Sequence, residues 1–277
     1  MGGHVLELAR NDWDVFATYR SQPCSHPRVI FLHFNLASEQ SILSVMEQVK
    51  PNSVIHCAAW PNIDICESQP DRAFQINAES SEVLAKICHQ IQCRLIFTST
   101  DMVFDGEEGA YTENDKTNPI NIYGRSKLAA EEKIQTHCPD SVIARVALVY
   151  GKPKMHGSSF SSKILDAAEQ GKTMHLFTDQ IRTPVLVDDL AQALLELADH
   201  NFRGVIHLGG ATQVNRFQFG IRLAELKKIS NEFMQPSTMD VVRPRAPRPR
   251  DVSLDITLAK KTLQTPLSGY DEGLGKT

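Results

Sequence analysis

The chain has 277 residues, of which 42% are hydrophobic and 22% are charged. A chain of this length and composition buries a sizeable core and forms one large globular domain or two closely packed ones. Lys and Arg number 29 and Asp and Glu number 33, a formal net charge of -4. This balance gives no overall attraction to nucleic acid or to an anionic membrane, so a negatively charged ligand requires a local site.

Six cysteines are scattered along the chain without a Cys-x-x-Cys pair or a histidine at metal-ligand spacing. This pattern favours reduced thiols over a zinc site or a disulfide framework. The longest apolar runs fall short of the ~20 residues that span a bilayer, and charged residues interrupt the first positions, where a signal peptide needs an apolar stretch. We therefore expect a cytoplasmic protein with no metal, no membrane contact and no nucleic acid partner.

Helical and strand-like patterns alternate along the first 210 residues. Periodicity and capping residues predict helices at 3–10, 38–49 (capped by Ser38), 70–90, 123–136 and 188–198, and strands at 13–18, 29–34, 53–58, 94–98, 142–149 and 205–208. Such alternation predicts an α/β fold, a Rossmann-like doubly wound parallel sheet with ligand sites at the carboxyl ends of its strands.

The pattern loosens after residue 150, with Gly- and Ser-containing turns at 157–162 and shorter, more polar segments after residue 210. We assign residues 1–150, together with 184–210, to a nucleotide-binding core, and residues 151–183 and 211–277 to a smaller substrate-binding lobe. Prolines exclude helix from the Arg- and Pro-rich stretch 243–250. Its arginines suit a diphosphate clamp and a solvated loop equally well.

Tyr123 and Lys127 carry the sharpest chemical pattern. Residues four positions apart lie one above the other on a helix face, so both side chains can reach one substrate atom. An ammonium beside a phenol favours the phenolate, which makes the tyrosine usable as an acid or base near neutral pH. The spacing alone also occurs by chance on solvent-exposed helices, so the assignment needs support from its surroundings.

That support comes from the predicted strand at 94–98, which continues directly into Ser99, Thr100 and Asp101. A Ser- and Thr-rich turn would show the same residues. In a doubly wound sheet, however, these hydroxyls and this carboxylate would meet the Tyr123 helix at the same sheet edge.

The whole chain resembles the extended short-chain dehydrogenases/reductases, and within them the dTDP-4-dehydrorhamnose reductase (RmlD-like) family with its methionine adenosyltransferase regulatory β subunit relatives. The segments that carry the resemblance are HCAA at 56–59, CESQP at 66–70, QINA at 75–78, STDMVFDG at 99–106, NIYGRSK at 121–127, Arg145 with VYG at 149–151, Arg248 with Pro249, and SLD at 253–255.

The resemblance implies a role for each matching residue. It implies that Tyr123 donates a proton to a substrate carbonyl, that Lys127 supports the tyrosine and a cofactor ribose, and that Thr100 and Asp101 complete the catalytic set and contact the substrate. Arg248 would also contact the substrate. The remaining implied cofactor contacts are Gly2, Arg20, Asn35, Leu36, Ala58, Ala59, Trp60 and Asn77, although a buried Asn77 could equally tie two loops together.

Arg20 bears on the choice of cofactor. An acidic residue at the end of the second strand of such folds accepts a hydrogen bond from the ribose 2′-hydroxyl, whereas an arginine pairs with a 2′-phosphate. NADP(H) is therefore favoured over NAD, with an ordinary solvated Arg20 as the alternative. Asn35 and Leu36 stand where the family has an acidic and an apolar residue beside the adenine, so this contact is altered here.

Two features depart from the family pattern. The sequence matches only the end of the Gly-rich dinucleotide motif, at Gly2, and shows no first strand before it. We expect that loss to leave unpaired edges on two neighbouring strands and to weaken cofactor binding. Two explanations stay open: the true start lies upstream of this sequence, or this is a shortened isoform with impaired binding. Met102 replaces the tyrosine common in the rhamnose reductases, which puts identical substrate recognition in doubt.

Three functions remain open at this stage. The favoured one is an enzyme, an NADPH-dependent reductase of a keto sugar nucleotide that uses Tyr/Lys acid catalysis. The second is a non-catalytic, NADP-binding regulatory subunit of a methionine adenosyltransferase, since that relative also retains the tyrosine and the lysine. The third is an inactive fragment. The expected partners are a small-molecule substrate and either a second copy of the chain or a partner enzyme.

Overall fold

A computed structural model of the chain describes residues 1–155 and 157–277. The helices are α1 (Gly2–Leu8), α2 (Glu39–Val49), α3 (Ile63–Ser68), α4 (Pro70–Phe74), α5 (Ser80–Gln90), α6 (Ile122–His137), α7 (Phe160–Glu169), α8 (Val187–Asp199), α9 (Arg216–Lys227), α10 (Met239–Val242), α11 (Thr257–Thr262) and α12 (Tyr270–Gly275). The strands are β1 (Val15–Tyr19), β2 (Val29–His33), β3 (Ser53–His56), β4 (Arg94–Thr100), β5 (Val142–Val146), β6 (Val149–Tyr150), β7 (Met174–Phe177), β8 (Ile181–Arg182), β9 (Val185–Leu186), β10 (Gly204–Leu208), β11 (Val214–Asn215) and β12 (Met234–Ser237).

The main sheet is parallel and has the strand order β10-β5-β4-β3. β1 and β2 form a separate parallel pair, in which Val15 lies opposite Val29. The predicted α/β fold with a Rossmann-like parallel sheet is therefore confirmed. The predicted unpaired edges are confirmed as well, because β1 pairs with β2 and β3 pairs with β4, but β1 and β3 do not pair with each other.

Apolar side chains fill both faces of the main sheet. β5 is buried along its whole length, as expected for a parallel strand with helices on both sides. One core cluster joins β5 and β10 to α8 and α11. A second joins β4 to α2, α5 and α6 on the opposite face. The ends of the strands therefore lie between two layers of helices that pack firmly on the sheet.

A third apolar cluster lies among α7, α9, β7 and β12, and includes Tyr150 and Phe219. The Ser-containing stretch expected to form turns at 157–162 instead begins α7, where Ser159 and Ser162 bond to each other's backbone N–H groups as a capping box. The predicted turn is present at Gly157, which lies in a bend with a φ of +126°. The prediction was wrong from Phe160 onward, because serine favours both turns and helix N-termini. Among the described residues, no helix is long and apolar enough to cross a membrane.

The helix predicted over 70–90 is divided. A π-helical turn, Gln75–Glu79, separates α4 from α5. The hydroxyl of Ser80 donates to the carbonyl of Ile76 at 2.6 Å, and that of Ser81 donates to the carbonyl of Asn77 at 2.8 Å. Hydroxyls that bond back to the preceding turn are known to bend helices, and π turns are frequent at functional sites. This turn sets the position of Asn77.

Candidate active site

β4 ends in two buried polar residues, Thr100 and Asp101. The Thr100 hydroxyl donates to Oδ1 of Asp101 at 3.1 Å and accepts from the backbone N–H of Met102 at 3.3 Å. It thereby caps a 3-10 turn, Asp101–Val103, that stops the strand. The strand-end position expected for this pair from the sequence is the one the structure shows.

α6 lies directly against that 3-10 turn. Asn121 caps the helix by accepting from the backbone N–H of Gly124 at 2.8 Å, and its amide nitrogen donates to the carbonyl of Pro247 at 3.1 Å. A Cβ on Gly124 would lie 2.2 Å from the carbonyl oxygen of Met102. Only glycine permits this approach, which sets Tyr123 beside the end of β4.

Tyr123 is a protonated phenol at neutral pH. Burial raises its pKa most, the nearby negative charge of Asp101 raises it further, and hydrogen bonding from the Thr100 hydroxyl opposes the rise. These effects outweigh the pKa-lowering effect expected from an ammonium at Lys127. Burial therefore favours the protonated form of this phenol.

Lys127 is almost completely buried, with 1% of its surface exposed. Its Nζ lies 3.8 Å from the centre of the Phe97 ring. Burial lowers its pKa to about 7, against the opposing attraction of Glu131 and Cys57. Within residues 1–155 and 157–277, no carboxylate lies within ion-pair distance of this ammonium, so it is a buried donor without a charged partner.

Beneath the site lies a buried ion pair that joins three elements. Nη2 of Arg145 donates to Oε2 of Glu131 at 2.8 Å, and Nε lies 3.2 Å from both carboxylate oxygens. The Ser99 hydroxyl also donates to Glu131. The guanidinium lies 5.2 Å from the Phe104 ring centre. The pair therefore fixes α6, which carries Tyr123, to β4 and β5. Glu131 was not predicted, since it looks like an ordinary helix-surface glutamate.

Asn77 connects the loop after β3 to α6. Its Oδ1 accepts from the backbone N–H of Trp60 at 2.7 Å, and its Nδ2 donates to the Trp60 carbonyl at 3.3 Å and to the Ser126 hydroxyl at 3.0 Å. Ser126 in turn donates to the carbonyl of Tyr123 at 2.8 Å. These bonds favour the loop-tying role of Asn77, which the sequence left as an alternative.

The other residues expected at the cofactor follow strand ends or begin a helix. Gly2 is the first residue of α1. Gly2 and the exposed Ala58 both line a cavity of about 670 Å³ between β1 and β3. Arg20 is exposed directly after β1. The structure thus brings Gly2 and Ala58 together, whereas Arg20 does not line this cavity.

Three further cofactor candidates also lie outside the cavity. Asn35 accepts from the backbone N–H of Ala37 at 3.1 Å, which forms a turn after β2 with Leu36 half-buried inside it. Ala59 is half-buried after β3, next to the Trp60 backbone that Asn77 holds.

A group of arginines faces Asp101. Nε of the buried Arg182 lies 3.7 Å from Oδ2 of Asp101. Arg216, the first residue of α9, donates to Oε1 of Gln180 at 2.7 Å. Nη2 of Arg248 donates to Oδ2 of Asp64 at 2.7 Å. This side chain was predicted as a substrate contact.

The arginine side chains of this group carry more positive charge than Asp101 balances. Burial lowers the pKa of Arg216 to about 9, and the neighbouring charge of Arg182 lowers it further. Burial raises the pKa of Asp101, against the attraction of Arg182. Among the described residues, the buried atoms Asp101 Oδ2, Gln180 Nε2 and Arg248 Nη1 have no hydrogen-bond partner. Unpaired buried polar atoms are rare in folded proteins, and a polar ligand or water bound here would satisfy them.

Arg182, Arg216 and Gln180 were not identified from the sequence. Arg182 lies in β8, Arg216 is the first residue of α9, and Gln180 immediately precedes β8. No local sequence motif surrounds any of them. Only the fold brings them to Asp101. The burial of an arginine can be predicted from the sequence only when the residues that pack around it in the fold are known to be core residues.

The fold and the site together define a class. A parallel sheet between two helical layers, with a tyrosine and a lysine one helical turn apart beside a central strand end, is the architecture of the extended short-chain dehydrogenases/reductases. Within that class the chain belongs to the RmlD substrate binding domain family, whose model matches residues 2–277. The family resemblance expected from the sequence is confirmed.

Individual relatives include a reductase and a regulatory subunit. A probable low-salt glycan biosynthesis reductase, Agl14 of Haloferax volcanii, is 34% identical over 80% of this chain and 75% of its own length. The methionine adenosyltransferase 2 subunit beta of Danio rerio is 29% identical over 90% of this chain and 77% of its own. The dTDP-4-dehydrorhamnose reductase of Bacillus anthracis, solved in complex with NADP, has the same fold, with a TM-score of 0.85 and 22% identity over 95% of this chain and 97% of that chain.

Proposed function

We propose that this chain is an NADPH-dependent reductase of a keto sugar nucleotide, with Tyr123 as the general acid. The observation that carries the proposal is the close approach of Gly124 to Met102, which places the neighbouring Tyr123 beside Thr100 and Asp101 at the end of β4. A reductase needs a proton donor at the carbonyl oxygen, and a side chain in that role contributes about 10²- to 10⁴-fold to the rate.

A nicotinamide cofactor, when bound, would supply a hydride for the carbonyl carbon. Tyr123 releases its phenolic proton to the carbonyl oxygen, which becomes the hydroxyl of the product. The Thr100 hydroxyl lies close enough to the phenol to lower its pKa, and it is itself held by Asp101. Lys127 lies one helical turn further along α6 and supplies a buried donor for the charge that is left on Tyr123.

The residues of the site suit NADP(H) in part. Small residues at Ala58 and Ala59 leave the backbone after β3 open to close approach, and Lys127 is a buried donor that a ribose hydroxyl would satisfy. Arg20 is exposed after β1, where it can pair with a 2′-phosphate.

The arginine group supports a sugar nucleotide as the substrate. Arg182, Arg216 and Arg248 present guanidinium groups that match diphosphate oxygens. Gln180, Arg216 and Arg248 all fall within residues 151–183 and 211–277, which supports our proposal that these two segments form the substrate-binding lobe.

A regulatory subunit remains the second candidate. The relative from Danio rerio is named a subunit of methionine adenosyltransferase and matches 90% of this chain. In that role the chain would bind NADP and a partner enzyme without turning over a sugar nucleotide. Co-purification of this chain with a methionine adenosyltransferase, together with no NADPH oxidation, would favour this second candidate.

The decisive experiment follows NADPH oxidation by the purified chain with dTDP-4-dehydrorhamnose as substrate. We expect Tyr123→Phe to lower kcat by about 10²- to 10⁴-fold without changing NADPH affinity. Tyr150→Phe is the matched control, because the Tyr150 hydroxyl lies in the α7 and α9 cluster and has only a 3.5 Å contact with the carbonyl of Tyr270. Equal activity in both variants would contradict the proposal.

A further inference from the structure

The second half of the Arg- and Pro-rich stretch, residues 246–250, is held against the fold by side chains of other elements, and we call it the strap. The backbone N–H of Ala246 donates to Oδ1 of Asp64 in α3 at 3.1 Å. The carbonyl of Pro247 accepts from Nδ2 of Asn121 at 3.1 Å. Ala246 itself is completely buried. The strap is therefore a fixed part of the fold and not a solvated loop.

Arg182 holds the other end of the strap. Its Nη2 donates to the carbonyl of Pro249 at 3.1 Å, and its Nη1 donates to that of Arg250 at 3.0 Å. The strap also packs closely on the loop after β4, since a Cβ on Gly106 would lie 2.6 Å from Cβ of Pro249. Because Nε of Arg182 lies 3.7 Å from Oδ2 of Asp101, the strap has a fixed position relative to the end of β4.

α3 joins the strap to α6 through two carboxylates. Asp64 and Glu67 are three residues apart, so they lie on the same face of the helix. Asp64 accepts from the strap, and Oε2 of Glu67 accepts from the backbone N–H of Ile122 at 3.0 Å. Ile122 is the first residue of α6 and the sequence neighbour of Tyr123. One short helix therefore bonds both to the strap, which carries Arg248, and to the helix that carries Tyr123.

Asp64 also determines which end of the Arg248 guanidinium is left for a ligand. Its Oδ2 accepts from Nη2 of Arg248 at 2.7 Å. Nη1 of Arg248 is buried and has no hydrogen-bond partner among the residues that the structure describes. Burial lowers the pKa of Arg248, against the attraction of Asp64 and Glu67, so both carboxylates of α3 favour the charged form. A guanidinium held at one nitrogen and free at the other can donate to an oxyanion.

We propose that Asp64 is a positioning residue, which holds Arg248 in the orientation that lets Nη1 donate to a diphosphate oxygen of the sugar nucleotide. This role rests on the proposed function, because that function makes a sugar nucleotide the ligand of the arginine group. Asp64 does not contact the diphosphate, since a carboxylate and a phosphate repel each other. It acts through the side chain of Arg248 and through the strap.

The backbone of the strap gives the Arg248 side chain a fixed origin. Pro247 and Pro249 flank Arg248, and a proline fixes its own φ and restricts the residue before it. A long side chain that is held both at its backbone and at its guanidinium loses little further rotamer freedom when a ligand binds. A salt bridge with a purely structural role would stabilise the fold without changing the affinity for a ligand.

The test compares two variants of equal charge. Asp64→Asn and Asp64→Ala both remove the carboxylate charge, but only asparagine keeps a side-chain oxygen that accepts hydrogen bonds. The Asp64 side chain is 44% exposed, so both variants should fold. Calorimetry measures the Kd of the full chain for dTDP and for NADPH, and neither measurement requires turnover. We expect Asp64→Ala to bind dTDP about tenfold more weakly than Asp64→Asn, with equal Kd values for NADPH. Equal Kd values for dTDP, no binding of dTDP to the unsubstituted chain, or a difference for NADPH in its place overturns the proposal.

A second comparison shows whether Asp64 acts through Arg248. In an Arg248→Met background the two Asp64 variants should bind dTDP equally, and a tenfold difference that persists there overturns the proposal. Asp271→Ala is the matched control, because it removes a carboxylate that pairs with Arg222 at the surface, and it should leave both Kd values unchanged.

Turnover distinguishes this role from the proposed function. With a keto sugar nucleotide as the substrate, the tenfold difference between the Asp64 variants should appear in KM and not in kcat. A chain that shows the difference for dTDP but does not oxidise NADPH supports the positioning role of Asp64 and contradicts the reductase. A difference in kcat alone overturns the positioning role.

Discussion

The backbone of Gly124 lies so close to Met102 that a Cβ at this position would be 2.2 Å from the Met102 carbonyl oxygen. This contact presses the first turn of α6 against the 3-10 turn after β4. Tyr123 and Asp101 are each the immediate sequence neighbour of one of these two residues. The relative position of the Tyr123 phenol and the strand-end carboxylate is therefore set by a contact that only glycine allows.

Replacing this glycine should destabilise the chain and displace Tyr123. We expect Gly124→Ala to lower the free energy of unfolding by about 1–3 kcal/mol, because the added methyl group overlaps a backbone atom that cannot move alone. Urea unfolding measures the change. The control is Gly275→Ala in α12, where a Cβ meets no atom within 4 Å. A stability loss of equal size in the control would contradict this explanation.

The ion pair between Glu131 and Arg145 should show the cost of an unpaired buried charge. We expect Glu131→Leu to destabilise the chain by about 3–5 kcal/mol, because it leaves the Arg145 guanidinium buried without its carboxylate. The double variant Glu131→Leu/Arg145→Leu should recover much of that loss.

The exposed pair between Arg203 and Asp140 is the control for that comparison, with about two thirds of each side chain exposed. Asp140→Ala should cost under about 1 kcal/mol. Chemical unfolding of the four proteins measures these differences. A double variant as unstable as the single variant would show that packing, and not charge, is responsible.

Lys127 should make stability depend on pH. Its folded-state pKa of about 7 lies below the ordinary value of 10.5, so between these pH values the unfolded chain binds more protons than the folded chain. The free energy of unfolding contributed by this group therefore rises with pH through that window. Lys127→Met removes the titration. The stability of the unsubstituted chain relative to this variant should increase from pH 7 to pH 10, and a constant difference would show that Lys127 titrates normally.

Arg216 should affect substrate affinity more than turnover. If the arginine group holds a diphosphate, Arg216→Met should raise KM for the sugar nucleotide by about 10- to 100-fold, as expected for the loss of a charged hydrogen bond. Arg222→Met on the same helix is the matched control, because Arg222 is partly exposed and pairs with Asp271 and Glu225 at the surface. Unchanged KM in the first variant, or an equal rise in both, would remove Arg216 from the substrate site.

Much of this site could be predicted because its residues fall in continuous segments. Tyr123 and Lys127 share one helix face, and Thr100 and Asp101 end one strand, so helix geometry and sheet topology together place the four residues at one edge. The apolar run before Thr100 and the capping residue Asn121 mark both elements in the sequence. The buried β4 and the predicted helix at 123–136 were accordingly found within a few residues of their observed ends.

The remainder depended on contacts between distant segments. Arg182 reaches Asp101 only because β8 folds back toward β4, and Glu131 finds Arg145 across a helix and a strand. The π-helical turn before α5 depends on two serine hydroxyls that donate to carbonyls of the preceding turn. Hydrophobic periodicity does not predict such hydrogen bonds. The phenol pKa of Tyr123 was expected to fall, and burial raises it, because the degree of burial follows from tertiary packing.

Because β1 and β3 do not pair, we expect the two sheets to unfold as separate cooperative units. β1 and β2 are held to the rest of the molecule by loops and half-buried side chains, whereas β4 and β5 lie inside a sheet with helices on both faces. Amides in β1 and β2 should therefore exchange with solvent through local opening at low free energy, while those of β4 and β5 exchange only when the whole domain unfolds. We therefore expect one polypeptide to contain two folding units whose folded states have very different lifetimes.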